Sequence, residues 1–128
     1  MRLCLVLATA ATLLLQSSVA NAQVEIEGNW KGACVRDGKP GAHVTIHIHH
    51  GSNTIETLRT ADHQSVVMPL FGVRIEYQKK TLIFSYTSYY DHRTRTFTGG
   101  WNSDFTMLSG KLSQPDGKQA FCEYRYIN

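Results

Sequence analysis

Gly72-Val73-Arg74-Ile75-Glu76-Tyr77-Gln78, followed by Lys79-Lys80 and then Thr81-Leu82-Ile83-Phe84-Ser85-Tyr86-Thr87, is the stretch that decides the fold. Val73, Ile75 and Tyr77 fall on alternate positions, and so do Leu82, Phe84 and Tyr86. A period of two puts one face of a strand in a core and the other in water; a helix would need spacings of three and four. The two lysines leave room only for a tight turn, so the stretch predicts an antiparallel hairpin.

The same reading extends both ways. Ile26 to Arg36 is a first strand, ended by Asp37-Gly38-Lys39-Pro40-Gly41. Ala42 to His49 is the second, and Thr54 to Thr60, after a His50-Gly51-Ser52-Asn53 turn, is the third. Ala61 to Pro69 is the longest irregular stretch, with room for one helical turn. The hairpin supplies strands four and five. Arg93 to Trp101 is the sixth, Phe105 to Ser113 the seventh, and Lys118 to Ile127 the eighth, after a strong Gln114-Pro115-Asp116-Gly117 turn. The fold expected is all-β: an eight-stranded antiparallel up-and-down barrel, closed by pairing the first strand with the last.

Cysteines give that closure a register. Cys4 lies in an apolar leader: Arg2 is followed by Leu3 to Leu15, and Ala20-Asn21-Ala22 offers small residues for cleavage after Ala22. Residues 1–22 therefore read as a cleaved signal peptide and 23–128 as a single domain, secreted or periplasmic. Cys34 and Cys122 remain as an even pair in an oxidising compartment, where a disulfide is expected. Opposed residues of an antiparallel pair have a constant index sum, here 156. The same sum sets Trp30 opposite Tyr126 and next to Arg125.

Composition narrows the function. The chain has 128 residues, 18% charged and 42% hydrophobic. Losing Arg2 with the leader takes 13 basic side chains to 12, against 10 acidic ones. So small an excess, without basic clusters, argues against nucleic acid. After the leader no apolar run is long enough for a membrane-spanning helix. No phosphate loop, nucleophile elbow or zinc-protease motif occurs.

Gly28-Asn29-Trp30-Lys31-Gly32 on the first strand, with Arg125 on the last, resembles the calycin signature of lipocalins and their relatives. That resemblance implies a structural role for Gly28, Trp30 and Arg125, with the tryptophan plugging one barrel end and the guanidinium stacked on it. The chain is also similar to the short lipocalin-like barrel domain found alone, or ahead of a hydrolase, in exported bacterial proteins. The matching pieces are Ile46-His47-Ile48, Ala61-Asp62-His63-Gln64 with Met68-Pro69, Thr81-Leu82-Ile83-Phe84, Phe97-Thr98-Gly99 and Leu108-Ser109-Gly110. The cysteine pair is not part of that pattern. No hydrolase domain is expected, so its activity does not carry over.

A lipocalin-like barrel implies a carrier. Tyr77, Phe84, Tyr86, Phe97, Trp101 and Tyr124 are candidate walls for a small apolar or aromatic ligand, though strand packing also favours such residues. The alternative is a secreted protein–protein interaction module, an inhibitor or accessory subunit, with Tyr89 and Tyr90 as partner anchors at the barrel rim. His43, Thr45, His47 and His49 share a strand face opposite Val44, Ile46 and Ile48, so the imidazoles should face solvent. His47 and His49, about 6.5–7 Å apart by strand rise, can share a surface zinc or copper ion, or simply make a polar face. No other cofactor is expected. Asp91-His92 with Ser85 or Ser88 has triad residue types, but adjacent Asp and His point apart, so no enzyme is expected.

Overall fold

The computed structural model describes residues 26–59 and 61–128; the expected signal peptide, residues 1–22, lies outside them. The chain forms β1 (Gly28–Arg36), β2 (Lys39–Pro40), β3 (Val44–His49), β4 (Ser52–Leu58), β5 (Ser65–Pro69), β6 (Phe71–Glu76), β7 (Thr81–Thr87), β8 (Thr94–Trp101), β9 (Met107–Ser113) and β10 (Gln119–Tyr126). They make one antiparallel sheet in the order β5-β4-β3-β1-β10-β9-β8-β7-β6, with β2 on β1, and the sheet curls into a nearly closed barrel.

The strand count exceeds the expected eight for a simple reason. β5 is antiparallel to β4, and β6 to β7, so β5 and β6 run in the same direction around an up-and-down barrel. Only Leu70 separates them. They are two halves of one bent stave that changes partner. The Leu70 N–H still donates to the carbonyl of Asn53 in β4, 2.9 Å away. One residue pair later Phe71 sits opposite Ser85 of β7. Gly72, at φ 61°, lies where the register slips between Phe71 and Arg74. A bulge with a left-handed glycine adds the local twist that a change of partner needs. With β5 and β6 taken as one stave and the two-residue β2 set aside, eight staves remain.

β5 corrects the reading of Ala61 to Pro69 as irregular. Its alternation spans only Val66 and Met68 before a proline, too short to stand out, yet Met68 is buried opposite Ile55. The first–last pairing is as expected: Cys34 is opposite Cys122, and Trp30 opposite Tyr126. The disulfide joins Cys34 and Cys122, 88 residues apart.

The inward positions build one core. Trp30, Ile46, Phe84, Phe97 and Leu108 have no exposed surface. Each such side chain contributes about 1.5–3 kcal/mol by leaving water. Ile26 is also wholly buried, and its carbonyl accepts the Trp30 indole N–H at 3.1 Å, so the entering chain folds under the barrel. Phe97 stacks on Phe84 with ring centroids 5.0 Å apart. Its ring lies against bare backbone: a Cβ on Gly99 or Gly110 would come within 2.6 or 2.9 Å of it.

Candidate functional site

The two barrel ends differ. At one end Trp30 meets Tyr126 edge-on at 5.2 Å, Tyr77 meets Trp101 at 5.8 Å, and Phe105 stacks on Trp101 at 6.4 Å. These rings fill that end. At the other end a cavity of about 600 Å³ opens among the β1–β3, β7–β8 and β9–β10 connections. Its wall is apolar along Val44, Ile55, Met68, Leu112 and Ala120. Such a volume is typical of a small-molecule pocket.

Of the six residues expected to line a ligand cavity, Tyr86 and Tyr124 do so. Phe97 lies beneath them, edge-on to Tyr124 at 5.7 Å, with Phe84 stacked behind it. Tyr77 and Trp101 belong to the filled end. Alternation marks which side chains point inward; it does not say at which height of the barrel the packing stops. The apolar wall residues and the rim residues Arg36, Arg95 and Gln114 carried no signal beyond strand parity.

Tyr86 and Tyr124 are neutral phenols. Burial pushes the Tyr124 hydroxyl well above its usual value, and burial does the same at Tyr86, with the Arg95 cation opposing it. Tyr124 O–H donates to Cys34 Sγ at 3.1 Å, the only direction open because a disulfide sulfur has no hydrogen. At the mouth, Arg95 holds Asp91 through two N–H donors, each at 2.8 Å. That bond, with one from the Arg93 N–H, holds the Asp91 carboxyl far below the usual carboxylate range. Arg36 reaches Gln114 at 2.5 Å and also binds Asp116. The rim arginines are thus already neutralised by rim carboxylates.

Tyr89 and Tyr90, the expected partner anchors, are half-exposed and tied down. Tyr90 O–H donates to the Leu58 carbonyl at 3.0 Å, and Arg59 donates to the Tyr89 hydroxyl at 3.3 Å. The two bonds latch the β7–β8 connection to the end of β4 at the cavity rim. Tyr90 is itself part of the cavity wall.

Arg125 corrects the signature reading. It pairs with Lys31, on the opposite sheet face from Trp30, and it is exposed. The ring against Trp30 is Tyr126. Strand parity requires this: with Trp30 opposite Tyr126, the residue before Tyr126 points the other way. Gly28 and Trp30 stay buried at the filled end.

His47 and His49 lie side by side on the outer face, centroids 6.3 Å apart. His47 Nδ1 contacts Asn29 Oδ1 at 2.5 Å and Nε2 contacts Glu56 Oε2 at 3.2 Å, while His49 Nε2 contacts the same Asn29 oxygen. Ser65 O–H also donates to Glu56, and these contacts lower the Glu56 carboxyl, the serine bond most. Among the described residues no three His, Cys, Asp or Glu side chains group closely enough to hold a metal ion. Asp91 and Ser85 are likewise engaged elsewhere, on Arg95 and Thr96.

No protein-family model matches the chain, and neither a curated protein nor a solved structure matches it. Among the described residues no helix is long and apolar enough to cross a membrane, which says nothing of crossing by strands.

Proposed function

We propose that this chain is an exported, lipocalin-like binding protein that holds a small apolar or aromatic ligand in the cavity at the open barrel end. The observation that carries this reading is the half-filled interior. Phe97, stacked on Phe84, backs Tyr124 at the edge of a cavity of about 600 Å³ that is apolar along Val44, Ile55, Met68, Leu112 and Ala120, with tyrosine hydroxyls, Thr57 and Ser88 among its polar groups. A pocket of that kind takes a ligand by burial, with a few polar groups to orient it. The two mouth arginines, each bound to an aspartate, favour a neutral body over an ion. The Cys34–Cys122 disulfide agrees with an oxidising compartment, secreted or periplasmic.

N-phenyl-1-naphthylamine, a neutral aromatic dye that brightens in apolar sites, tests the cavity. The expected result is saturable binding at one site. Leu112→Trp, which fills the cavity from its wall, removes that binding while the far-ultraviolet spectrum is kept. Unsaturable binding, or unchanged binding in the filled variant, overturns the proposal. Export is tested by intact mass: cleavage after Ala22 and the loss of two hydrogens to the disulfide are expected in protein recovered from outside the cytoplasm.

A further inference from the structure

The outer face of β1, β10 and β9 carries a second concavity, on the far side of the sheet from the cavity. It is a groove of about 910 Å³. Three cross-strand rows form it. Val35, Phe121 and Lys111 make one end, Ala33, Glu123 and Ser109 the floor, and Lys31 with Arg125 the other end. That row is low at Ala33 and Ser109, which are short, and Glu123 stands between them. The apolar end is open to water: Phe121 is 62% exposed and Val35 42%. Lys111 leans over the Phe121 ring with Nζ 5.8 Å from its centroid.

The basic end is unusual for a sheet surface. Lys31 and Arg125 are direct register partners. Like charges directly opposite each other destabilise a strand pair. Among the described residues neither cation has an ion pair, whereas Arg36, Arg59 and Arg95 are each bound to an aspartate. Three cations face one carboxylate in this groove, so an anionic group would relieve the opposition.

We propose that this groove docks an extended, acidic segment of a partner protein, with a carboxylate between Lys31 and Arg125 and an apolar side chain on Val35 and Phe121. The two ends lie four residues apart along β1, about 13 Å by strand rise. The partner segment therefore carries its acid and its aromatic or aliphatic residue about four positions apart. Concavity favours a segment over a lipid surface, which meets protruding side chains. The excess of cations disfavours a second copy of this chain, whose groove would repel it. The inference does not depend on the inner cavity holding a ligand.

The probe is a capped decapeptide of Ser and Gly with Asp and Phe four positions apart. Its twin has Lys for Asp, and phosphatidylglycerol vesicles are the third probe. Amide shifts of the ¹⁵N-labelled protein are read. The acidic peptide is expected to shift residues 31–35 and 121–125, and the effect should weaken with salt. Lys31→Glu with Arg125→Glu should lower its affinity by about tenfold or more and reverse the preference toward the lysine twin. Phe121→Ser with Val35→Ser should weaken both peptides while the folded spectrum is kept. No response to the acidic peptide, equal response to the twins, or response to vesicles alone overturns the inference. So does concentration-dependent shifting of these amides without any probe, which would assign the face to a second copy.

Discussion

The two ends of this barrel are made from the same strands and the same alternation, yet one is packed and the other is hollow. At the packed end the inward positions hold Trp30, Tyr77 and Trp101, and Ile26 folds beneath them. At the hollow end Val44, Leu112 and Ala120 share the inward positions with Tyr86 and Tyr124. At the packed end rings pack on rings across the barrel; at the hollow end the short side chains beside the tyrosines stop at the wall and leave a space. Eight staves enclose just enough room for this choice to matter. The difference between a plug and a pocket is therefore one of side-chain volume at a given height, not of topology.

The largest expected effect breaks that comparison most directly. Trp30→Ala should cost about 3–5 kcal/mol, because it opens a void amid packed rings. Met68→Ala at the cavity wall should cost nearer the low end of the usual range, about 2 kcal/mol, because one side of Met68 already faces a space. Urea unfolding with a tryptophan-independent probe measures both. Equal losses would mean that the cavity wall is packed as tightly as the plug.

Next in size is the cross-link. Cys34→Ser with Cys122→Ser should lower stability by about 2–4 kcal/mol, since an 88-residue separation is closed by that bond. The loss should appear in the denaturant midpoint. Cys34 is part of the cavity wall, so dye affinity should fall as well. A stability loss without any change in dye binding would place the cavity elsewhere.

Tyr124→Phe is a smaller perturbation at the floor of the hollow end. It removes a hydroxyl whose acceptor is a disulfide sulfur, a weak partner. The expected cost is at most about 1 kcal/mol, the size of one net hydrogen bond. Dye affinity should change more than stability if the ligand competes for that hydroxyl. Parallel titrations of the two proteins give the ratio.

Much of this architecture is legible in the chain itself, and the misses share a cause. The hairpin around Lys79-Lys80 and the pairing of the first and last strands follow from period and from the cysteine index sum. A sum fixes who stands opposite whom. It also fixes the face, and it turns Arg125 away from Trp30, against the family pattern. β5 stayed hidden because its inward residues number two and a proline follows. The candidate site was half legible: alternation set Phe84 and Tyr86 on one face and the resemblance added Phe97 and Tyr124, but only a three-dimensional height separates the cavity wall from what lies beneath it. The latch from Tyr90 to Leu58 joins residues 32 apart through a main-chain carbonyl, a contact without any composition signal.

Acid should separate the two ends by the smallest but most selective effect. The packed end is built from the rings of Trp30, Tyr77, Trp101, Phe105 and Tyr126, which do not titrate in acid. The hollow end is ringed by Asp91 and Asp116, both held below their usual 3.8 by arginine and backbone N–H groups, Arg95 leading for Asp91 and the Lys118 N–H for Asp116. A carboxyl whose folded value is depressed binds protons more readily when unfolded, so its contribution is complete above the usual value. It is lost as pH falls below about 4 toward the depressed folded value. Both groups sit at the surface in contact with water, so the expected change is local rather than global. Hydrogen exchange should show it: between pH 5 and pH 3, compared after correction for intrinsic rates, the β7–β8 connection at residues 88–93 opens before Trp30 and Phe97 lose protection. Asp91→Asn should bring the same opening to neutral pH, because a neutral amide cannot hold Arg95 in the two-donor grip that fixes the rim. Simultaneous loss of protection at both ends would mean that rim and plug unfold as one unit, and the mouth of the cavity would then be as rigid as its floor.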